Sequence, residues 1–392
     1  MIQSDVAELE PAPIPVQLSE SPRPPSKLGS IQVGRGIAAL IVLLYHNSIT
    51  FSFPKYWGHD PLQGFAKFGH AGVEFFFVLS GFLIYFIHNR DIGKPARLTR
   101  YIRKRFIRIY PVYWIVLTAL LPVYFLVAGY GEGWEREPLT ILSSFLLVHI
   151  FTTHVVLPVS WTLFFELRFY AAFALLIFNR KLGMFAVGLW LLLSVLSLPL
   201  GFEGELGRSY FSPANLLFAM GIASAWLLNR RTIPVPSLLL LLGIFIFLAT
   251  GLTEVFDIPL HKVFRNWLYG LGSAFAILGA VELERNGLLR APSIMVLAGE
   301  ASYSIYLLHA PMLSIAVKIL IGLGIRTALP AVISYFLIVA LVTTLCVLFH
   351  LYVERPLLKY CEAKLGVAPS VKAREEPSVE QTGAAPRSAS DA

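Results

Sequence analysis

From about residue 31 to residue 360 the chain is built of long apolar runs separated by short polar connections. Runs such as Pro236–Leu252 (PSLLLLLGIFIFLATGL) are apolar at every helical azimuth and do not alternate with period two. A helix needs roughly 20 apolar residues to cross the hydrocarbon core, whereas barrel strands read as roughly ten-residue alternating segments. The pattern predicts an all-α integral membrane protein and excludes a β-barrel. Spans fall at about 31–52, 70–88, 108–129, 160–179, 183–200, 210–229, 236–252, 265–283, 296–320 and 329–352, a bundle of about ten transmembrane helices. Thr140–Leu157 fits less well, because its clean run Ile141–Phe151 has eleven residues and two serines. That length suits an interfacial or re-entrant helix better than a crossing.

Composition supports the pattern: 56% of the 392 residues are hydrophobic and 14% charged, with mean hydropathy +0.68. Residues 1–30 are proline-rich and acidic, lack a basic n-region, and read as a disordered cytoplasmic tail that stays attached. Residues 361–392 read as a second disordered cytoplasmic tail, which leaves 31–360 as the functional transmembrane domain. Two cysteines, Cys346 and Cys361, offer neither a disulfide framework nor a metal site, and no metal is expected. Lys and Arg in short loops favour the cytoplasm. Ten spans with both termini inside place seventeen basic residues on inner connections and seven on outer ones, whereas an eleventh span at 140–157 would move the Arg180-Lys181 and Arg230-Arg231 pairs outside. Most of the formal +8 sits in Arg90–Arg108. Such a loop serves equally for anionic lipid or for docking an anionic cytoplasmic ligand. Nucleic acid is a poor candidate partner, because no soluble binding module accompanies it.

Ionisable side chains within membrane spans are costly and become functional candidates by default. Arg35 and His46 lie on the first span eleven residues apart, which returns them to nearly the same azimuth about 16 Å apart in depth. Glu166 sits about six residues below the outer end of the fourth span, at the depth of His46, so a carboxylate-held imidazole acting as general base is one reading. A purely structural hydrogen bond is the other. Glu74 lies near the outer side of the second span, and the Ser80-Gly81 pair near mid-membrane suggests close helix packing. Arg105 and Arg108 share a helical face at i, i+3, a spacing suited to gripping phosphates. Tyr303, Tyr306 and His309 climb the ninth span, and His309 is the rival base to His46. Glu354 is expected to pair with a cytoplasmic arginine, and Pro356 to stop the last helix. The arginines inside and the histidines and Glu166 further out form a line along which an extended phosphate-bearing donor, such as a phosphopantetheine thioester, could lie.

Five elements occur in order: Arg35-x10-His46, GVEFFFVLSGFL in the second span, RKRFIRIYP before the third, SWTLFFELRFY with Trp161 and Glu166, and ASYSIYLLHAP near the end. In these the chain resembles the membrane-bound acyltransferase-3 family over about residues 31–360. The resemblance implies about ten spans, an acyl-CoA donor, usually acetyl-CoA, bound from the cytoplasm, and transfer to a hydroxyl of a carbohydrate or lipid-linked glycan. It implies Arg35 and His46 as the essential pair, Arg105 and Arg108 as the basic motif that holds the donor, and Trp161 with Glu166 as the Trp/Glu motif. It further implies a stand-alone form without the esterase-like SGNH domain that many relatives append. His46, Glu166 and His309 are thus the expected catalytic residues, Arg35, Arg105 and Arg108 the donor site, and Glu74, Trp161, Tyr303 and Tyr306 the substrate contacts. The expected setting is a bacterial inner membrane, with the lipid bilayer, a glycan acceptor and polysaccharide-assembly proteins as partners. A transporter or flippase for a lipid-linked or anionic solute, and a scaffolding protein, are the competing readings from the residues alone.

Overall fold

The computed structural model describes residues 28–127, 131–149, 154–200 and 205–367. The predicted tails lie outside these, except for residues 28–30 and 361–367. Helices run α1 (Gly29–Ser52), α2 (Gly72–His88), α3 (Leu98–Leu126), α4 (Pro138–Leu146), α5 (Trp161–Phe178), α6 (Arg180–Leu200), α7 (Glu205–Tyr210) and α8 (Asn215–Leu228). They continue as α9 (Pro236–Val255), α10 (Lys262–Arg285), α11 (Ser293–Glu300), α12 (Ser302–Gly322), α13 (Ile325–Ala328), α14 (Ala331–Phe349) and α15 (Arg355–Lys364). No strand occurs among the described residues.

Among the described residues, eight helices are long and apolar enough to cross a membrane: α1, α2, α3, α5, α6, α9, α12 and α14 with its continuation. Of the ten expected, the remaining two are α8 and α10. With 14 residues, α8 reaches only about 21 Å. Helix α10 has 24, but Lys262, Arg265, Glu282, Glu284 and Arg285 dilute its ends. Lipid replaces water as solvent on the outer surface: α9 turns Leu238, Leu241 and Phe245 outward at 62, 63 and 67% exposure, an inversion that only a bilayer rewards.

Several local features follow from satisfying backbone groups without water. The free N–H groups at the start of α1 are capped across the bundle, where Glu284 of α10 accepts from the Gly29 amide (2.7 Å), the Ser30 amide (2.9 Å) and the Ser30 hydroxyl (2.5 Å). Helix α4 has nine residues, too few to cross, and ends in a left-handed Leu147. Its last carbonyls are taken up by α3, with Tyr113 Oη donating to Ser144 O (2.8 Å), Trp114 Nε1 to Phe145 O (3.0 Å) and Tyr110 Oη to Leu146 O (2.9 Å). The expected interfacial or re-entrant helix is therefore a short helix docked on α3.

Gly81 and Gly221 bring α2 and α8 into backbone contact. A Cβ at Gly81 would lie 2.1 Å from the Phe218 carbonyl oxygen, and one at Gly221 1.9 Å from that of Val78. Three boundaries differ from expectation. The basic stretch before the third span is helical from Leu98, because Lys and Arg are good helix formers. The ninth span is a jointed pair, α11 and α12, meeting at Ala301. Pro356 does not stop the last helix: a π-type turn, His350–Glu354, precedes it, and the proline sits in the first turn of α15 where its missing N–H costs nothing. Glu354 bonds Ser304 Oγ (2.5 Å) and His350 Nδ1 (2.8 Å), where an arginine had been expected.

Candidate active site

Helices α1, α2, α3, α5 and α12 enclose a cavity of about 120 Å³. Arg35, Arg105, Arg108, Glu166, Tyr303 and Tyr306 line it, together with Ser80 and Tyr170. Six of the ten residues singled out in the sequence thus meet on one cavity. Three guanidinium groups face a single carboxylate, a strongly anion-attracting arrangement.

Each of the α3 arginines is held in place. Arg105 stacks over Tyr170 (5.2 Å to the ring centroid) and Tyr101 (5.6 Å), and its NH2 donates to His88 Nε2 at 3.0 Å. The other nitrogen of His88 lies 2.8 Å from Asp91 Oδ2. Since Nε2 must accept from arginine, Nδ1 carries the proton and donates to Asp91. Arg108 lies over Tyr303 (5.3 Å), whose hydroxyl donates to the Ile109 carbonyl (2.8 Å). Arg35 reaches Gln32 Oε1 only at 3.5 Å. Glu166 accepts from Ser80 Oγ (3.3 Å) and from the Tyr170 hydroxyl one turn away.

His46 and His309 meet each other, with ring centroids 4.8 Å apart. In both, Nδ1 faces the carbonyl four residues back: Val42 for His46 (2.9 Å) and Ile305 for His309 (3.1 Å). Donation from Nδ1–H to a carbonyl leaves Nε2 with its lone pair, the state a general base requires. Nε2 of the buried His309 has no hydrogen-bond partner among the described residues. Tyr306 links the two regions, because it lines the cavity while its ring lies 5.9 Å from that of His309. Its hydroxyl is fixed by Thr162 Oγ1 (2.7 Å) and the Val159 carbonyl (2.9 Å).

The expected contact between His46 and Glu166 is not formed: the imidazole turns to His309 and the carboxylate to Ser80 and Tyr170. Glu74 and Trp161 do not line the cavity. Trp161 is 44% exposed and packs edge-on to Phe77 and Phe165. Glu74 is buried beside His70, at 3.8 Å from Nδ1. His70 belongs to a polar knot that the sequence did not reveal. Glu254 of α9 accepts from His70 Nε2 (3.1 Å) and Tyr269 Oη (2.6 Å), and pairs with Arg265 (3.4 Å). The ring of Tyr45 lies 5.7 Å from that of His70 and 5.0 Å from that of His46, placing this knot beside the histidine pair. His88 and Asp91 were also missed, although their i, i+3 spacing at a helix end was a usable signal. Among the described residues no three ligating side chains cluster to hold a metal ion.

The sequence pattern of an acyltransferase domain family matches residues 28–351. Over 313 residues, 76% of this chain and 92% of the relative, the protein is 32% identical to "Exopolysaccharide production protein ExoZ" of Rhizobium meliloti (strain 1021). It is 28% identical over 318 residues, 75% of this chain and 86% of the relative, to "Putative acetyltransferase ORF330" of Acidianus two-tailed virus. No solved structure matches. With the family pattern spanning nearly the whole helical bundle, and the arginines, Glu166 and the tyrosines on one cavity beside the histidine pair, the chain belongs to the acyltransferase-3 family and is a multi-pass membrane acyltransferase.

Proposed function

We propose that the protein transfers an acyl group, acetyl in the simplest case, from acyl-CoA to a hydroxyl of a carbohydrate or lipid-linked glycan of the cell surface. The observation that carries this reading is the continuity from three arginines, through Tyr306, to two histidines whose Nε2 atoms are kept as acceptors. Arg35, Arg105 and Arg108 hold the phosphates of the donor, and the thin pantetheine arm runs outward along Tyr303 and Tyr306. Glu166, oriented by Ser80 and Tyr170, accepts hydrogen bonds from that arm.

His46 Nε2 takes the proton as the acceptor oxygen attacks the thioester carbonyl carbon. The C–S bond then breaks, and the proton passes to the departing thiolate. His309 packs against His46 and sets its ring position, or exchanges roles with it as base. Glu74 and Trp161 do not line the cavity, and we assign them to the acceptor side as substrate contacts. The exopolysaccharide role in the name of the rhizobial relative favours a glycan acceptor.

We also read α8 and α10 as crossings, which gives ten spans with both termini in the cytoplasm of a bacterial inner membrane. Eight spans would leave the termini on one side as well. Helix α10 packs along α9 through Gly272 and Gly243, as an antiparallel transmembrane neighbour does.

The test is transfer by the purified protein in nanodiscs, with radiolabelled acetyl-CoA and a glycan extract as acceptor source. The wild type should consume thioester and label glycan, and His46→Ala should fall by about 100-fold or more. Full activity in a folded His46→Ala protein would remove His46 from the mechanism. Turnover with no label on glycan would remove the acceptor class.

A further inference from the structure

Glu166 and Arg168 stand two residues apart on α5, about 200° around the helix, so they face opposite sides. Glu166 faces the donor cavity, and Arg168 faces a second cavity, of about 220 Å³, that has no part in the mechanism above. This second cavity lies between α5, Tyr210 of α7 and the chain just past α4, where Leu147–His149 is non-helical. Non-helical backbone at membrane depth is tolerated where it is buried in protein or lines a polar cavity.

Arg168 is built into the wall of this cavity. Its guanidinium is sandwiched between the rings of Phe165 (4.3 Å) and Tyr210 (4.7 Å). In the plane, Nε donates to the Phe164 carbonyl (3.1 Å) and NH1 to Ser209 Oγ (3.2 Å). Among the described residues the buried NH2 has no partner and no carboxylate lies within ion-pair reach. A fixed guanidinium with one free edge and no counter-charge among the described residues is an incomplete ion pair.

His149 supplies a second free donor. It is only 7% exposed, stacks on Phe164 (3.8 Å between centroids), and has its carbonyl held by Tyr210 Oη (3.0 Å). Its Nδ1 lies 3.3 Å from the same Ser209 hydroxyl that accepts from Arg168. Burial, reinforced by the charge of Arg168, pushes this imidazole down to about 4, so the ring is neutral at pH 7. When the Ser209 hydroxyl donates to Nδ1, Nε2 carries the proton, and Nε2 is the second buried atom here without a partner among the described residues. The rest of the lining, including Leu147, Leu167 and Ala171, is apolar, and Ala171 is exposed on the outer surface of α5.

We infer that this cavity is a binding site for the phosphate head of an anionic amphiphile, with Arg168 NH2 and His149 Nε2–H as its oxyanion donors and the apolar wall as the seat of its chain. The site is separate from the donor cavity, and its occupancy does not depend on the acyl-transfer reading. If that reading holds, the site offers an anchor for a lipid-linked acceptor on the face of α5 opposite Glu166.

The experiment measures binding of dodecyl phosphate to the purified full-length protein in detergent, by thermal shift and native mass spectrometry. Inorganic phosphate and a neutral dodecyl glycoside are run in parallel. Dodecyl phosphate should bind and stabilise the wild type, and Arg168→Gln should weaken it at least tenfold. Arg168→Lys keeps the charge but not the fork, and should lie between the two. His149→Leu, which removes the second donor while keeping bulk, should weaken binding severalfold and guards against misfolding of the arginine variants. CoA binding at the donor cavity should stay unchanged in all three, which reports that the fold is intact. Equal binding of inorganic phosphate would overturn the amphiphile while leaving an oxyanion site. Equal binding of the neutral glycoside, or unaltered binding of dodecyl phosphate by folded Arg168→Gln and His149→Leu, would overturn the proposal.

Discussion

His88 never touches the proposed donor, yet its replacement should weaken donor binding. Arg105 has three fixed contacts: two ring faces, at 5.2 and 5.6 Å, and one in-plane hydrogen bond to His88 Nε2 at 3.0 Å. The ring faces restrain the guanidinium plane but not its rotation within that plane, so the direction of its free N–H groups rests on His88. Asp91, at 2.8 Å from Nδ1, fixes the tautomer that lets Nε2 accept. His88→Phe keeps the aromatic edge toward Tyr101, 5.1 Å away, and removes only the acceptor. A hydrogen bond from a charged donor contributes about 1.5–3 kcal/mol. Part of this is recovered when water or phosphate takes the freed N–H, which leaves about 1 kcal/mol as the lower expectation. That is about fivefold in affinity, with about 150-fold as the ceiling at 3 kcal/mol. Calorimetric titration of nanodisc-embedded protein with CoA should therefore give a dissociation constant at least fivefold higher for His88→Phe. Asp91→Asn should fall between it and the wild type, and kcat at saturating donor should stay within about twofold. Unchanged CoA affinity in His88→Phe, alongside a large loss in Arg105→Gln, would refute the argument, because Arg105 would then be oriented by its rings alone.

Tyr113→Phe should destabilise the α3–α4 junction by about 1–3 kcal/mol, because the Ser144 carbonyl loses a buried donor at 2.8 Å; denaturant titration of detergent-solubilised protein measures it, and an unchanged midpoint would show the carbonyl finding another donor. Glu254→Ala should cost about 3–5 kcal/mol, since it leaves His70, Arg265 and Tyr269 without their shared carboxylate. Its signature is a large loss of monodisperse protein on size exclusion, and a wild-type yield would show the knot to be structurally dispensable.

Much of the fold could be read from apolar run length, because the bilayer imposes one thickness on every crossing helix. What the runs could not show was how ends and joints are satisfied. Apolar run length starts the third span at residue 108 because charge marks the water boundary, yet the helix begins at Leu98, with the arginines snorkelling from the same rod. Nor did length distinguish α11 from α12, since the joint at Ala301 contains neither proline nor glycine and the apolar runs on its two sides add up to one span. The short α4 was legible as something other than a span, but not the three α3 side chains that make its ending tolerable.

The site shows the same division more sharply. Counting residues from a helix end gives depth, and depth placed Arg105 and Arg108 on the cytoplasmic side and matched His46 to Glu166. Azimuth within one helix was also available: Arg105 and Arg108 share a face three residues apart, and both line the cavity. The rotation of one helix against another is set by packing, here by the Gly81–Gly221 crossing that locks α2 onto α8 while Ser80, one residue away, faces the cavity. Depth alone therefore paired His46 with the wrong partner, choosing the carboxylate at its level where the structure supplies the imidazole of His309. Two neutral imidazoles in contact do not need a carboxylate to stay buried, and each already has a backbone carbonyl for its proton. A carboxylate beside them would hold a proton through Coulomb attraction and make the base slower to release it to a thiolate. Setting Glu166 on the cavity of the arginines gives the carboxylate opposite charges for neighbours, and in the proposed mechanism it leaves His46 free to take a proton and give it up again within one turnover.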